Sequence, residues 1–291
     1  MSKALHAIPG PLRYALRCWR SELVHGLEET QQLWRGRPMG AGTVLLILGC
    51  QRSGTTLMTR IFAADPEAKV YGEYSEFSVQ DRRGRLRLAP LRHVAGRLER
   101  SRFPLLVMKP LVESQQADEL LATLPRSKAL WLVRGPADVA RSDLELFGRA
   151  NGVRNLERLL AGRPGDWRGE RVSPDVREVV AKHYTPSMDP MDAAALFWWA
   201  RNSLFFELGL DDRSDVLPVR YESLATRPHE TMRAVYAFAG REFPGEAATR
   251  EVTSASVGRE SNSRLSDAVQ VLCLSMLERF DELIERRQAC A

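Results

Sequence analysis

Between Gly49 and Leu57 the chain reads Gly-Cys-Gln-Arg-Ser-Gly-Thr-Thr-Leu, a combination suited to holding an anion. Arg52 supplies a cation inside the turn, and Gly49 and Gly54 bracket it. The apolar run Val44–Leu48 just before has the character of a buried parallel strand. Thr55, Thr56, Leu57 and Met58 then start a helical pattern. A strand, a glycine-bracketed loop and a helix together aim backbone N–H groups and a helix N-terminus at a phosphate. Glycine spacing alone could mark a mere connection, but the strand, the Arg-Ser-Gly-Thr-Thr run and the helix form a far more specific signal.

The spacing of glycine, four residues and glycine is that of a P-loop, which continues with Lys and Ser/Thr. Here Thr55 and Thr56 follow Gly54, so the lysine that would reach the outer phosphates of ATP is missing. An ATP-hydrolysing protein also needs a second strand ending in a magnesium-holding aspartate. The best-formed second strand, Lys128–Val133, runs into Arg134 instead. Such a site suits a multiply anionic nucleotide bound without a metal, through arginine and backbone donors.

The other chemistry-bearing residues fall where strands should end. Ala68–Tyr71 is a short strand followed by Gly72 and Glu73. Phe103–Met108 is a buried-strand pattern ending on Lys109. Arg134-Gly135-Pro136 leads into a helix over about 136–148 that carries Ser142, with Gly135 as N-cap, Pro136 in the first position and Asp138 in the first turn. Val216–Tyr221 is a further strand, and its early proline suggests an edge. Helices are expected over about 55–64, 114–124, 190–209 and 228–239, and after Leu265 with Val269, Leu272, Met276, Phe280, Leu283 and Ile284 as the buried stripe. Residues 81–102 read as a solvated helix with loops. Residues 149–189, broken by glycines and prolines, read as an irregular lid or substrate loop. Alternating strands and helices give an α/β fold, a three-layer parallel sheet with its ligand site at the strands' carboxyl ends. Those ends are the loop after Gly49, then Glu73, Lys109, Arg134 and Tyr221.

Composition narrows the possible partners. The chain has 291 residues, 44% of them hydrophobic, enough to bury a sizeable core without staples. Cys18, Cys50, Cys273 and Cys290 form no CxxC pair or Cys/His cluster, so no zinc site or disulfide framework is indicated, and a reducing, cytoplasmic setting is expected. The net charge of +5 comes from 42 basic against 37 acidic residues, with no long basic run to suggest nucleic acid. Arginines at 13, 17 and 20 interrupt any signal-peptide core, and no run is long enough for a transmembrane helix. Residues 1–42 are expected to form an N-terminal amphipathic segment and linker, and 43–291 a single domain. The basic amphipathic face of residues 1–35 should pack on that domain; peripheral membrane contact is the other use such a face can have.

The motifs resemble those of sulfotransferases that use 3′-phosphoadenosine 5′-phosphosulfate (PAPS), and the resemblance covers most of residues 44–265. In that family a Gln/Pro-Arg/Lys-Ser-Gly-Thr-Thr loop binds the 5′-phosphosulfate, and here it is Gln51-Arg52-Ser53-Gly54-Thr55-Thr56. An Arg-x-Pro strand end with a serine eight residues after the arginine binds the 3′-phosphate, matching Arg134-Gly135-Pro136 and Ser142. A Tyr-Glu-x-Leu segment before a Pro-led helix and Phe-x-Gly lies near the adenosine, matching Tyr221–Leu224, Pro228 and Phe238–Gly240. The resemblance implies a P-loop NTPase-like sulfotransferase fold. It also implies sulfuryl transfer from PAPS to a hydroxyl or amine, with no metal and with adenosine 3′,5′-bisphosphate released. Arg52 and Lys109 are the implied electrostatic catalysts. The histidine base of many cytosolic members is absent, since Pro110–Glu113 stand there. Glu73 sits where tyrosylprotein and some carbohydrate sulfotransferases of the family place a glutamate base, which suggests kinship with that branch; Glu113 is the second choice. Arg259, in the polar stretch 251–264, lies where the family often has a basic or glycine-rich segment over the 3′-phosphate.

Each residue also has a plainer reading. Glu73 could pair with an arginine, Lys109 could end a strand in solvent, Tyr221 could simply pack, and Trp198 and Trp199 suit a core. His93, His183 and His229 are isolated. A P-loop-type nucleotide or small-molecule kinase is the competing enzyme, and a non-catalytic nucleotide-binding scaffold the competing binding protein. The acceptor (carbohydrate, lipid or small molecule) has no readable code. Arginines at 82, 83, 85, 149, 154, 163, 168 and 171 could meet an anionic glycan or be solvated.

Overall fold

In the computed structural model, residues 35, 38–40, 42–81, 85–255, 257, 258 and 265–289 are described. The amphipathic pattern before residue 35, Arg82, Arg83, Cys18, Cys290 and Arg259 lie outside them.

Strand β1, Thr43–Gly49, is followed by helix α1, Thr55–Ala63, and β2, Ala68–Tyr71. A two-stranded antiparallel hairpin comes next, β3 at Ser78–Gln80 and β4 at Leu86–Leu88. Helix α2 spans Leu91–Leu98, β5 Leu105–Met108, α3 Ala117–Thr123 and β6 Ser127–Val133. Four helices follow: α4 Pro136–Phe147, α5 Asn151–Ala161, α6 Pro174–His183 and α7 Pro190–Glu207. Strand β7, Val216–Arg220, leads into α8, Tyr221–Thr226, then α9, Pro228–Phe238, and α10, Asp267–Ala289.

The five main strands pair in parallel in the order β2-β5-β1-β6-β7, so β1 is central and β7 lies at an edge, as Pro218 suggests. Alternation along β1 divides the core. Leu45 and Ile47 pack with Met58, Phe62, Met232 and Tyr236 of α1 and α9. Val44, Leu46 and Leu48 face Leu120, Val139, Trp198 and Phe280 of α3, α4, α7 and α10. The result is the expected three-layer α/β architecture.

Three local expectations change. Residues 149–189 are not an irregular loop: α5 and α6 bury Leu156, Leu159, Val176 and Val180 against Leu196 and Phe197 of α7. Helix α7 is therefore covered on two sides and is apolar around most of its circumference, with Trp198 fully buried and Trp199 partly so. In the 81–102 stretch the chain forms β4 and then α2, whose Val94 and Leu98 enter the core. The helix expected from Ser114 begins instead as a 3-10 turn, Leu111–Gln116, before α3. Among the described residues no helix is long and apolar enough to cross a membrane.

Candidate active site

Strand β1 delivers the glycine-bracketed loop at the centre of the sheet's carboxyl edge. Gly49, at φ +124°, has no room for a side chain, because a Cβ there would lie 2.6 Å from the carbonyl oxygen of Leu132 on β6. Ser114 Oγ, arriving from the turn after β5, accepts the Gly49 N–H at 3.1 Å and donates to its carbonyl at 3.2 Å. The loop's root is thus fastened from both neighbouring strands.

Arg52 adopts φ +67°, a left-handed conformation unfavourable for a side chain with a Cβ. Two contacts hold it there. Its carbonyl accepts from Arg134 Nη1 at 3.2 Å, and its Nε donates to Ser142 Oγ at 3.0 Å. Gly54 turns at φ +91°, and a Cβ on it would sit 2.2 Å from Cδ2 of Tyr221. Helix α1 then starts without a side-chain cap bond and without an acidic residue in its first turn. Its first N–H groups are left for an anion or water. Ser53 Oγ is fully buried, with no hydrogen-bond partner among the described residues.

Lys109 follows β5 directly. Its Nζ donates to Thr56 Oγ1 at 3.0 Å and lies 3.7 Å from Glu73 Oε1. Burial pushes the ammonium below its ordinary pKa; Glu73 opposes that shift and the Arg52 charge adds to it. Arg52 is lowered for the same reason, chiefly by burial and then by the neighbouring Arg134. Arg134 stacks its guanidinium 4.4 Å from the centre of the Tyr221 ring.

The backbone at the start of α4 is held by Glu222, which accepts the Gly135 N–H at 2.7 Å and pairs with Arg220 at 3.0 Å. Arg220 in turn reaches Asp281 of α10 at 2.8 Å. Next to Ser142, Asp143 accepts from the Asn151 amide nitrogen through both carboxylate oxygens, at 3.1 and 3.0 Å, and is raised above its usual pKa by burial.

One cleft of about 380 Å³ opens here. Gln51, Arg52, Gly54, Thr55, Thr56, Glu73, Lys109, Arg134, Ser142 and Tyr221, all singled out from sequence, share its wall. Ser53 lies beneath it. Tyr221 opens α8 rather than ending β7, so its ring reaches across to Gly54. Arg259 falls outside the described residues.

Glu113, the second choice of base, does not line this cleft. It is 3% exposed and clamps Arg87 through both carboxylate oxygens at 2.7 and 2.9 Å, while Arg87 also holds Glu170. Several arginines considered for an anionic acceptor also have internal partners: Arg85 pairs with Asp81 and Asp166, Arg168 with Asp166 and Arg171 with Asp118. His229 packs beside Thr249, with 2.8 Å between Nδ1 and the hydroxyl, away from the cleft. Among the described residues no cluster of His, Cys, Asp and Glu has the arrangement of a metal site.

The cleft also holds residues that sequence reasoning did not assign to it: Asp138, Arg141, Glu145, Leu146 and Phe147, all on α4. Spacing offers a signal for some of them. Asp138, Arg141 and Glu145 stand three or four residues apart, and residues so spaced share a helix face with their neighbours.

Residues 43–271 match the family described as the sulfotransferase domain. No curated protein matches the chain. Among solved structures, the sulfotransferase domain of the olefin synthase from Synechococcus PCC 7002 is 16% identical, with a TM-score of 0.53 over 84% of this chain and 96% of that one. A sulfotransferase from Alicyclobacillus acidocaldarius is 17% identical, with a TM-score of 0.47 over 84% and 96%. Mouse sulfotransferase SULT7A1, complexed with PAP, is 13% identical, with a TM-score of 0.43 over 83% and 82%. The first of these likenesses concerns the arrangement of sheet and helices. The family match takes in every strand of the sheet and every cleft residue described above, and by it the chain belongs to the sulfotransferase family.

Proposed function

We propose that the protein transfers a sulfuryl group from PAPS to an acceptor hydroxyl or amine. The observation that carries this reading is the bond from Arg52 Nε to Ser142 Oγ, which joins the anion loop to the helix after β6 in a single cleft. The residues fit the donor in other respects. Three arginines and a lysine share the wall, and the buried Ser53 hydroxyl has no hydrogen-bond partner among the described residues. The volume is within the ordinary range for a nucleotide-sized ligand.

PAPS supplies an electrophilic sulfur joined through oxygen to a 5′-phosphate. The loop N–H groups and Arg52 hold the phosphosulfate, and Arg134 with Ser142 holds the 3′-phosphate. Tyr221 supports Arg134 from beneath. As the acceptor oxygen bonds to sulfur, the sulfur–oxygen bond to the phosphate breaks and its electron pair stays on the phosphate. Lys109 and Arg52 stabilise that growing charge. Glu73, held beside Lys109, takes the acceptor proton. Little else is asked of the protein than position and fixed charge.

The test is transfer of label from [³⁵S]PAPS to a panel of glycans, lipids, phenols and peptides. Labelled product with at least one class, and none from Arg134→Ala at the same donor concentration, is expected. Wild-type bisphosphate affinity in Arg134→Ala would overturn the placement of the donor.

A further inference from the structure

Asp138 lies in the first turn of α4, where a carboxylate ordinarily serves the helix N-terminus. Here it turns its oxygens elsewhere. One accepts from Arg141 Nη2; the other lies 4.0 Å from Arg134 Nη2 and accepts the Gly258 N–H at 3.2 Å. The N-cap of α4 is Gly135, whose N–H is accepted by Glu222 and not by Asp138. Asp138, Arg134 and Arg141 all line the cleft. A carboxylate set between two guanidinia at the wall of an anion site has the charge and acceptor geometry of the ligand itself.

We propose that Asp138 is an internal stand-in for a donor phosphate, occupying the Arg134–Arg141 seat in the empty enzyme and competing with the 3′-phosphate for it. The inference rests on the proposed donor site and adds a residue that sets its affinity and selectivity. The sign follows from how Arg134 is held. Its stacking on Tyr221 and its bond to the Arg52 carbonyl are independent of Asp138. Removing the Asp138 charge therefore leaves Arg134 in position while taking away a rival anion. If the carboxylate stays when phosphate arrives, two negative groups face each other; if it leaves, its ion pairs are lost. Either course costs affinity for a 3′-phosphate, and neither bears on a nucleotide that lacks one. Asp138 is a positioning and selectivity residue, away from the transferring sulfur.

The test compares equilibrium binding of adenosine 3′,5′-bisphosphate and adenosine 5′-phosphate to the full chain, wild type and Asp138→Asn. Asparagine keeps an oxygen for the Gly258 N–H. Bisphosphate binding should tighten about fivefold in Asp138→Asn, with monophosphate binding unchanged. Unchanged or weaker bisphosphate binding in a variant with wild-type melting overturns the proposal. Should that variant fail to fold, the wild-type Gly258 amide resonance is read instead: bisphosphate must shift it more than monophosphate, and equal shifts overturn the idea. Failure of the donor site looks different, because wild type would then bind both nucleotides alike and Arg134→Ala would alter neither.

Discussion

The Nε of Arg52 donates to the Oγ of Ser142 across 3.0 Å, although 90 positions separate them in the chain. This bond turns the guanidinium of an otherwise strained residue toward the helix after β6 and joins the glycine-bracketed loop to it. Arg52→Ala should lower turnover by about 10²- to 10³-fold, the cost of removing one fixed donor to developing charge. Ser142→Ala removes a single hydroxyl and should mainly weaken donor binding, by about tenfold. Steady-state rates at saturating and limiting PAPS separate the two effects.

Gly54→Ala should both destabilise the protein and impair donor binding. The new methyl would meet the Tyr221 ring at 2.2 Å, on a backbone with φ +91°. The loss should be about 1–3 kcal/mol, read as a lower urea midpoint. Tyr221→Ala relieves the clash but not the backbone strain, so the double variant should recover only part of it.

Lys109 gives a pH dependence in which activity and stability move in opposite directions. Its pKa in the folded protein lies below the ordinary 10.5, through burial first. Between that lowered value and 10.5 the unfolded chain holds a proton that the folded one has released. The Lys109 contribution to stability therefore rises with pH through this window. Activity that needs the ammonium falls through the same window. Lys109→Arg, which stays charged, should remove this alkaline fall. Glu73→Gln should cost about 10²- to 10⁴-fold in kcat and, because Glu73 supports the ammonium, bring the alkaline fall to lower pH. A kcat–pH profile of each variant checks both.

Glu113→Ala should destabilise by about 1–3 kcal/mol, because it removes one of the two carboxylates that hold the part-buried Arg87 guanidinium and leaves Glu170 as the other. Chemical denaturation measures that loss. Turnover per folded molecule should stay near wild type, which separates Glu113 from Glu73.

The site was legible in sequence because its residues sit at strand ends, and strand ends are set by short apolar runs that are easy to see. Val44–Leu48 and Lys128–Val133 fixed where Arg52 and Arg134 would stand, and parallel topology brought them together. The helices of 149–189 were harder. Leu156, Leu159, Val176 and Val180 have helical spacing, but each helix shows only a narrow apolar stripe, and the glycine-proline cluster between them outweighs it. Their apolar partner, α7, is distant in sequence and buried around most of its surface. The setting of Glu113 was hidden for a related reason. A carboxylate just past a strand end reads as chemistry until Arg87, 26 residues earlier, is seen to hold it.

The central place of β1 has a consequence for how the molecule comes into being. The anion loop is encoded early, yet β1 pairs with β5 at Leu105–Met108 and with β6 at Ser127–Leu132. Arg134 and Ser142 come later still, and Tyr221 last. On the ribosome, the first motif must wait for most of the chain to emerge before its neighbours exist, and pairings so distant in sequence close slowly. On the proposed reading, donor binding would double as a reporter of completed folding: a nascent or truncated chain ending before Tyr221 should carry the whole loop and hold no nucleotide.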